Sequence, residues 1–222
     1  MEQYSQYLNE LVKCKIFNNI SENNILNIIP CLDPKIKAYE KNEYIFHQGD
    51  KINKVGIIIQ GALLIEGLDY WGNSSILKNL NTYDMFGEIY AFENKPLVVS
   101  IKANTKCKII FLNLDKMLHP CSISCSFHTI LIINLLEIFA KKAIIMNNKI
   151  DILSKRTTED KLLTYLNSFS IQKKSKSFVI PFNRQELADF LVVNRSALSK
   201  ELMKLKKDGV IDFNKNKFTL LN

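Results

Sequence analysis

Glycine (7), proline (5), histidine (3) and tryptophan (1) are scarce in this 222-residue chain. So little glycine and proline excludes a collagen-like or low-complexity fibre. Hydrophobic residues make up 47% and charged residues 23%, which excludes a chain too polar to bury a core. No uncharged apolar run reaches the ~18 residues a bilayer span needs. The longest, Ile130 to Ala140, is broken by Asn134 and Glu137. The opening MEQYSQYLNE lacks a basic start followed by an apolar block, so no secretory signal is expected. The expected location is the cytoplasm, with no membrane partner. P-loop and G-x-G-x-x-G patterns are missing, and the three histidines (His47, His119, His128) form no Ser-His-Asp pattern. The chain is therefore not expected to be an enzyme. Five cysteines, Cys14, Cys31, Cys107, Cys121 and Cys125, are an odd set. Without export, disulfides are not expected, and these are buried thiols, sensors or ligands.

Charge is present but uneven. The chain carries +8, from 30 basic and 22 acidic residues. From Lys155 onward there are 14 basic and 7 acidic residues, against 16 and 15 before it. A basic module joined to a neutral one points to a polyanion partner for the basic part, with a solvated basic face as the alternative.

The texture changes twice along the chain. Before about Lys35 the residues read as short helices: Tyr4, Tyr7, Leu8 and Leu11 recur at helical spacing, and Ser21 stands where it can cap a helix with Ile25, Ile28 and Ile29 on its apolar face. From Lys35 to Leu118 come short β-rich segments: Glu43-Phe46, Lys54-Ile59, Ala62-Leu68, Ser75-Leu80, Val98-Ala103 and Lys108-Leu112. Turn signals such as Gly49-Asp50, Gly61, Asp84 and Gly87 separate them, as in an antiparallel barrel or sandwich. From about Ser122 to Leu153 a long helix is expected. Leu131, Leu135, Ile138, Lys142, Ile145 and Lys149 lie near a heptad-like line, with Ile132, Leu136, Phe139 and Ala143 beside it. So wide a stripe serves packing on the barrel and on a second copy of the same helix.

After Lys155 the expected order is helix (Thr158 to Phe169), polar loop (Gln172 to Ser177), strand (Phe178 to Phe182), two helices and a terminal hairpin around Asn214-Lys215-Asn216. That is a winged helix. Within N-R-Q-E-L-A-D-F-L-V-V-N-R-S-A-L-S-K-E-L, Asn183 and Glu186 have capping-box spacing. Leu187, Ala188 and Leu191 are expected inside, Val192-Val193 form the turn, and Asn194 caps a second helix with Ala197, Leu198, Leu202 and Leu205 inside. Its other face shows Arg195, Ser196, Ser199, Lys200 and Met203, and Gly209 stops it. Two short helices joined by a tight turn, the second exposing Arg, Ser and Lys near its start, make a helix-turn-helix. An α-helix fits the major groove, and a guanidinium can bond O6 and N7 of guanine together. The alternative is a helical hairpin that packs and binds nothing.

On R-Q-E-L-A-D-F-L and N-R-S-A-L-S-K-E-L the chain resembles transcription regulators of the Crp/Fnr family along nearly its whole length. The resemblance implies an α+β protein. Residues 1–120 would form an antiparallel, jelly-roll-like β-roll sensor, 121–154 a long dimerisation helix, and 155–222 a winged helix-turn-helix. It implies a homodimer on double-stranded DNA at an inverted repeat, with RNA polymerase as a further partner. By position, Arg195, Ser196, Ser199 and Lys200 would read bases, Asn194, which caps their helix, would be a DNA-binding residue beside them, and Asn183, Arg184 and Gln185 would contact the backbone. The family often has Glu at Ser196 and Arg at Lys200, so the operator is expected to differ from the commonest family site.

Phe86-Gly87-Glu88-Ile89 resembles the family's nucleotide pocket motif. The family arginine that neutralises the cyclic phosphate would fall at Leu97 or Val98, in the run Leu97-Val98-Val99, and neither is charged. Cyclic AMP is therefore not expected as effector, and Glu88 is expected to hold backbone amides in the turn. The fold requires no cofactor. Cys121, Cys125 and His128, in C-x3-C-x2-H spacing with His119 near, suit a soft metal, haem or thiol oxidation. The plainer alternative is two half-buried cysteines and a surface histidine. The chain is also similar to regulators of anaerobic bacteria that answer nitrosative or redox stress, some through haem. A constitutive member with a vestigial sensor, or a cyclic-nucleotide-binding signalling protein with atypical phosphate contacts, remain the other readings.

Overall fold

A computed structural model describes residues 2–68, 74–119 and 126–221. The chain divides into two compact units, 1–139 and 140–222. The division falls inside the helix that the sequence reading set apart as a segment of its own.

The first unit opens with helices α1 (Glu2–Ser5), α2 (Leu8–Leu11) and α3 (Glu22–Ile28). Ser21 does stand at the N-cap of α3, but its side chain makes no capping bond. Burial of Ile25 and Ile28 holds the helix instead. Strands β1 (Lys35–Tyr39), β2 (Tyr44–Phe46), β3 (Lys54–Gln60), β4 (Leu63–Leu68), β5 (Ser74–Leu80) and β6 (Met85–Phe86) follow, then α4 (Glu88–Glu93), β7 (Ser100–Ala103), β8 (Cys107–Asn113) and α5 (Leu114–Leu118). Among the described residues they make two antiparallel sheets, ordered β1-β8-β3-β6 and β2-β7-β4-β5.

The run Ile57-Ile58-Ile59 shows why the first sheet is central. Val55, Ile57 and Ile59 face the N-terminal helices, where they meet Phe17, Ile25 and Ile29. Ile58 faces the other sheet, together with Leu63, Phe86, Ile101 and Phe111. A strand buried on both faces loses polar alternation, which is why it reads as a continuous apolar run. Each such side chain contributes roughly 1.5–3 kcal/mol.

Helix α6 spans Ser126–Ser154. Its buried residues in the first unit are His128, Leu131, Asn134, Leu135 and Ile138. Asn134 interrupts the apolar run without an energetic penalty, because its amide donates to the carbonyls of Ile16 (2.9 Å) and Asn18 (2.8 Å). The expected heptad line thus splits. Leu131, Leu135 and Ile138 belong to the first unit's core, while Ile145 and Lys149 are exposed.

The second unit contains α7 (Thr158–Lys173), β9 (Ser177–Val179), α8 (Arg184–Leu191), α9 (Arg195–Lys207), β10 (Ile211–Asn214) and β11 (Lys217–Leu220), with sheet order β10-β11-β9. This is the expected winged-helix order. The Thr157 hydroxyl accepts from the Asp160 amide and starts α7. That helix runs past its expected end at Phe169 and stops at Lys174, whose backbone is left-handed. Strand β9 is shorter than Phe178 to Phe182, since Pro181 has no N–H for the ladder. Leu162, Leu166, Leu187, Leu191, Leu198 and Leu202 fill the core around Phe178 and Phe218. Ala197, expected inside, is exposed.

Candidate nucleic-acid interface

The capping box is formed. Asn183 Oδ1 accepts from the Glu186 amide (3.0 Å), and the Asn183 amide donates to Glu186 Oε2 (2.7 Å). Gln185, exposed, donates to Asp189 Oδ1 (2.8 Å). The inter-helix turn is tight because Val192 takes a left-handed backbone, φ 53°. That conformation is costly for a β-branched residue. It is held by the Val193 amide donating to the Ala188 carbonyl (3.0 Å) and by the Lys161 ammonium on the Leu191 carbonyl (3.4 Å).

Asn194 then caps α9, its Oδ1 accepting from both the amide (2.8 Å) and the hydroxyl (2.7 Å) of Ser196. Ser199 donates to the Arg195 carbonyl (2.9 Å). Asn194, Ser196 and Ser199 are therefore engaged in shaping the helix start. Arg195 and Lys200 are exposed, and neither is paired with another side chain among the described residues. Ser196, Ser199, Lys200 and Met203 share one face of α9 with Arg195 at its edge. Further along, Lys204 is held by Glu159 (2.7 Å) and Glu201 (3.2 Å), and Lys206 by Asp212 (2.6 Å). The two carboxylates raise the Lys204 ammonium above its usual range. The unpaired positive charge of α9's first turns is thus Arg195 and Lys200.

Arg184 does not extend into solvent. Its guanidinium carbon lies 5.0 Å from the Phe213 ring centre and 6.0 Å from that of Phe218, and Nη2 donates to the Lys215 carbonyl (3.4 Å). Burial lowers its pKa. Beside it, Asn183, Lys215 and Asn216 line a groove of about 520 Å³. Sequence reasoning passed over Lys215 and Lys217 as site residues, although two lysines flanking a turn were the available signal.

The residues of the nucleotide-pocket motif take separate local roles. Phe86 fills the roll interior, its ring 6.4 Å from Phe46 and 6.3 Å from Phe111. A Cβ at Gly56 would overlap the Phe86 ring, so glycine is required there. Gly87 takes φ +81° to start α4, and Glu88 is buried. Leu97 is buried and ladders with Gly49 and Asp50 through its backbone, whereas Val98 and Ile89 are exposed and Val99 is half-buried. Near the motif, Lys102 is paired with the buried Glu66, while Lys95 makes an exposed pair with Glu93. An apolar groove of about 310 Å³ lies elsewhere in this unit, between α4 and α6, lined by Ile89, Phe92, Leu136 and Phe139 among others. The sequence carried no signal for it.

Cys121 and Cys125 lie outside the described residues. His128 is buried rather than on the surface, and neither ring nitrogen has a hydrogen-bond partner among the described residues. His119 is exposed and hydrogen-bonded to the Asp115 carbonyl through Nδ1 (3.0 Å). Among the described residues no group of three or more His, Cys, Asp or Glu side chains is placed to hold a metal. Burial, with Glu10 beside it, pushes the Cys14 thiol up to about 12, and burial raises Cys107 too. Both are therefore protonated and poor nucleophiles at neutral pH.

Comparison with known proteins agrees with this geometry. A cyclic nucleotide-binding domain model matches residues 36–122, and a Crp-like helix-turn-helix domain model matches residues 160–222. The anaerobic regulatory protein of Bacillus subtilis (strain 168) is 21% identical over 206 residues, which cover 90% of this chain and 84% of that protein. The cGMP-dependent protein kinase egl-4 of Caenorhabditis elegans is 32% identical over 89 residues, 40% of this chain but 11% of the kinase. The crystal structure of the Thermus thermophilus catabolite activator protein has the same fold, with TM-score 0.56, 18% identity and 93% of each chain covered.

Proposed function

Because this chain belongs to the Crp/Fnr family of transcription regulators, we propose that it binds double-stranded DNA as a homodimer at an inverted repeat, without cyclic AMP as its effector. The observation that carries this reading is the exposed start of α9, where Arg195 and Lys200 have no side-chain partner among the described residues, whereas Lys204 and Lys206 further along are held by carboxylates. A capped helix fits the major groove, and Arg195 can bond one guanine edge through two donors. Lys200 reaches a neighbouring base or phosphate. Asn183 and Gln185, at the start of α8, lie where backbone phosphates approach.

The exposed apolar residues of α6, such as Ile133, Leu136 and Ile150, support two copies. A two-fold symmetric pair of recognition helices sits about one DNA turn apart, which makes the operator an inverted repeat. Regulation acts as a shift between dimer states: an effector need only bind one state better than the other. The regulator works in the cytoplasm, makes no covalent chemistry of its own, and meets RNA polymerase at the promoter. Among the described residues no group of three or more His, Cys, Asp or Glu side chains is placed to hold a metal. No step is assigned to a metal or haem.

Selection of duplexes from a random pool by the full-length protein tests this reading. The expected product is an inverted repeat with half-site centres about 10 bp apart. Enrichment of nothing, or of unpaired single sites, removes it. Titration calorimetry with cyclic AMP is expected to give no micromolar heat. The phosphate would lose a charge-assisted pair of roughly 1.5–3 kcal/mol, since Leu97 and Val98 are uncharged, Lys102 is paired with the buried Glu66, and Lys95 lacks the planar fork of an arginine. A saturating micromolar signal would overturn the effector statement and leave the DNA reading standing.

A further inference from the structure

The wing, not the phosphate backbone, is what Arg184 serves: we propose that it is a positioning residue that holds the turn between β10 and β11, so that Lys215 and Lys217 meet a DNA phosphate. This rests on the DNA reading above and gives Arg184 a different role from the backbone contact that the family resemblance implies.

The base of the wing is an aromatic platform. Phe213 and Phe218 are cross-strand partners, stacked with ring centres 5.7 Å apart. Arg184 lies over Phe213 at 5.0 Å. A second cation, Lys206, lies 5.4 Å from the same ring and is itself held by Asp212 (2.6 Å). A guanidinium over an aromatic face is half-desolvated and favourably placed by the ring quadrupole. Swinging it out to a phosphate would expose Phe213 and surrender that contact.

The turn needs outside support. Lys215 has φ +54°, a left-handed backbone uncommon for a side chain of its kind. Its carbonyl is the one that accepts from Arg184. On the other side, Asn216 is tied twice to Ile180: its carbonyl accepts from the Ile180 amide (2.9 Å), and its side-chain amide donates to the Ile180 carbonyl (3.2 Å). Arg184 and Ile180 thus grip successive residues of the turn. Lys215 and Lys217 remain exposed, with no acidic partner among the described residues. Two unpaired ammonium groups on a braced turn, next to the capped start of α8, suit a phosphate contact.

Lysine separates the two roles. It keeps the charge for a phosphate but lacks the planar fork for the ring and the carbonyl. Fluorescence anisotropy of full-length R184K, R184A, K215A/K217A and K215A/K217A/R184A would be measured on the selected duplex and on a non-cognate duplex, from 50 to 200 mM salt. Each lost phosphate contact lowers the salt slope by about 0.9. We expect R184K to bind as weakly as R184A, about 10-fold or more below wild type. We expect R184A to add less than about 2-fold to the lysine pair, as coupled sites do. Amide exchange should accelerate at residues 214–217 in R184K and R184A, with α7 and α9 unchanged. R184K binding like wild type, additive losses, or unaltered exchange at the turn would each overturn the proposal. A wild-type protein that binds neither duplex would overturn the DNA reading first, and the exchange measurement would still decide whether Arg184 braces the turn.

Discussion

Arg195→Ala is expected to weaken binding to the selected operator by roughly 1–3 kcal/mol per half-site and to erase preference at one base pair in each. Binding to a non-cognate duplex at low salt should change far less. The asymmetry follows from geometry. Arg195 stands at the edge of the exposed face of a helix whose start is fixed by Asn194 and Ser196. Its guanidinium is not tied to another side chain among the described residues, so a DNA contact would break no internal pair. A phosphate contact would instead lower affinity for every sequence alike and reduce the salt slope by about one. Competition titrations against duplexes altered at each position check this. A variant with the wild-type order of preferences would take Arg195 out of base readout.

Ile150→Glu is expected to turn the dimer into monomers with the fold intact. Along α6 the residues Ile133, Leu136, Ala140, Ala143, Asn147, Ile150 and Ser154 follow alternating three- and four-residue steps, and all seven are exposed. Ile133, Leu136 and Ile150 are 50%, 60% and 62% exposed. A seam with this spacing is the one a second helix occupies, and a polar residue in it, such as Asn147, sets register. Burying an isoleucine contributes roughly 1.5–3 kcal/mol, and two-fold symmetry counts it twice. The loss of about 3–6 kcal/mol weakens dimerisation by roughly 10²- to 10⁴-fold. Sedimentation equilibrium reads that directly, and operator affinity should fall with it. Because Ile150 is exposed in the monomer, the variant should keep the wild-type circular dichroism spectrum, while its melting temperature falls by the stabilisation that association supplies. A variant that stays dimeric at the same concentration removes this seam from the interface.

The basis of that second expectation also shows where sequence reasoning stopped. A helix with apolar residues on much of its circumference has more than one candidate line. The line through Leu131, Leu135 and Ile138 looked heptad-like, yet those three are buried against the roll. Periodicity counts apolar positions but does not say which surface each meets. Strand β1 escaped notice because its lysines, Lys35 and Lys37, alternate along an edge strand beside β8, where charge is common. Strand β6 is two residues long and pairs only through Gly56 and Ile57, too short for any pattern. By contrast, the capping box of α8 and the Asn194 cap of α9 were legible, because both depend on residue types at fixed local offsets. Arg184 was legible as a cation but not as a brace, since its partners Phe213 and Lys215 are about thirty residues away and no local rule links them.

Whether α9 lies along base edges can be read without a structure of the complex. Dimethyl sulfate methylates guanine N7 in the major groove, the atom that Arg195 would cover. On the selected duplex, wild-type protein should protect one guanine in each half-site, and Arg195→Ala at saturating concentration should leave that guanine reactive. Protection that is absent with wild-type protein, or identical with the variant, would mean that this helix does not read the groove through Arg195.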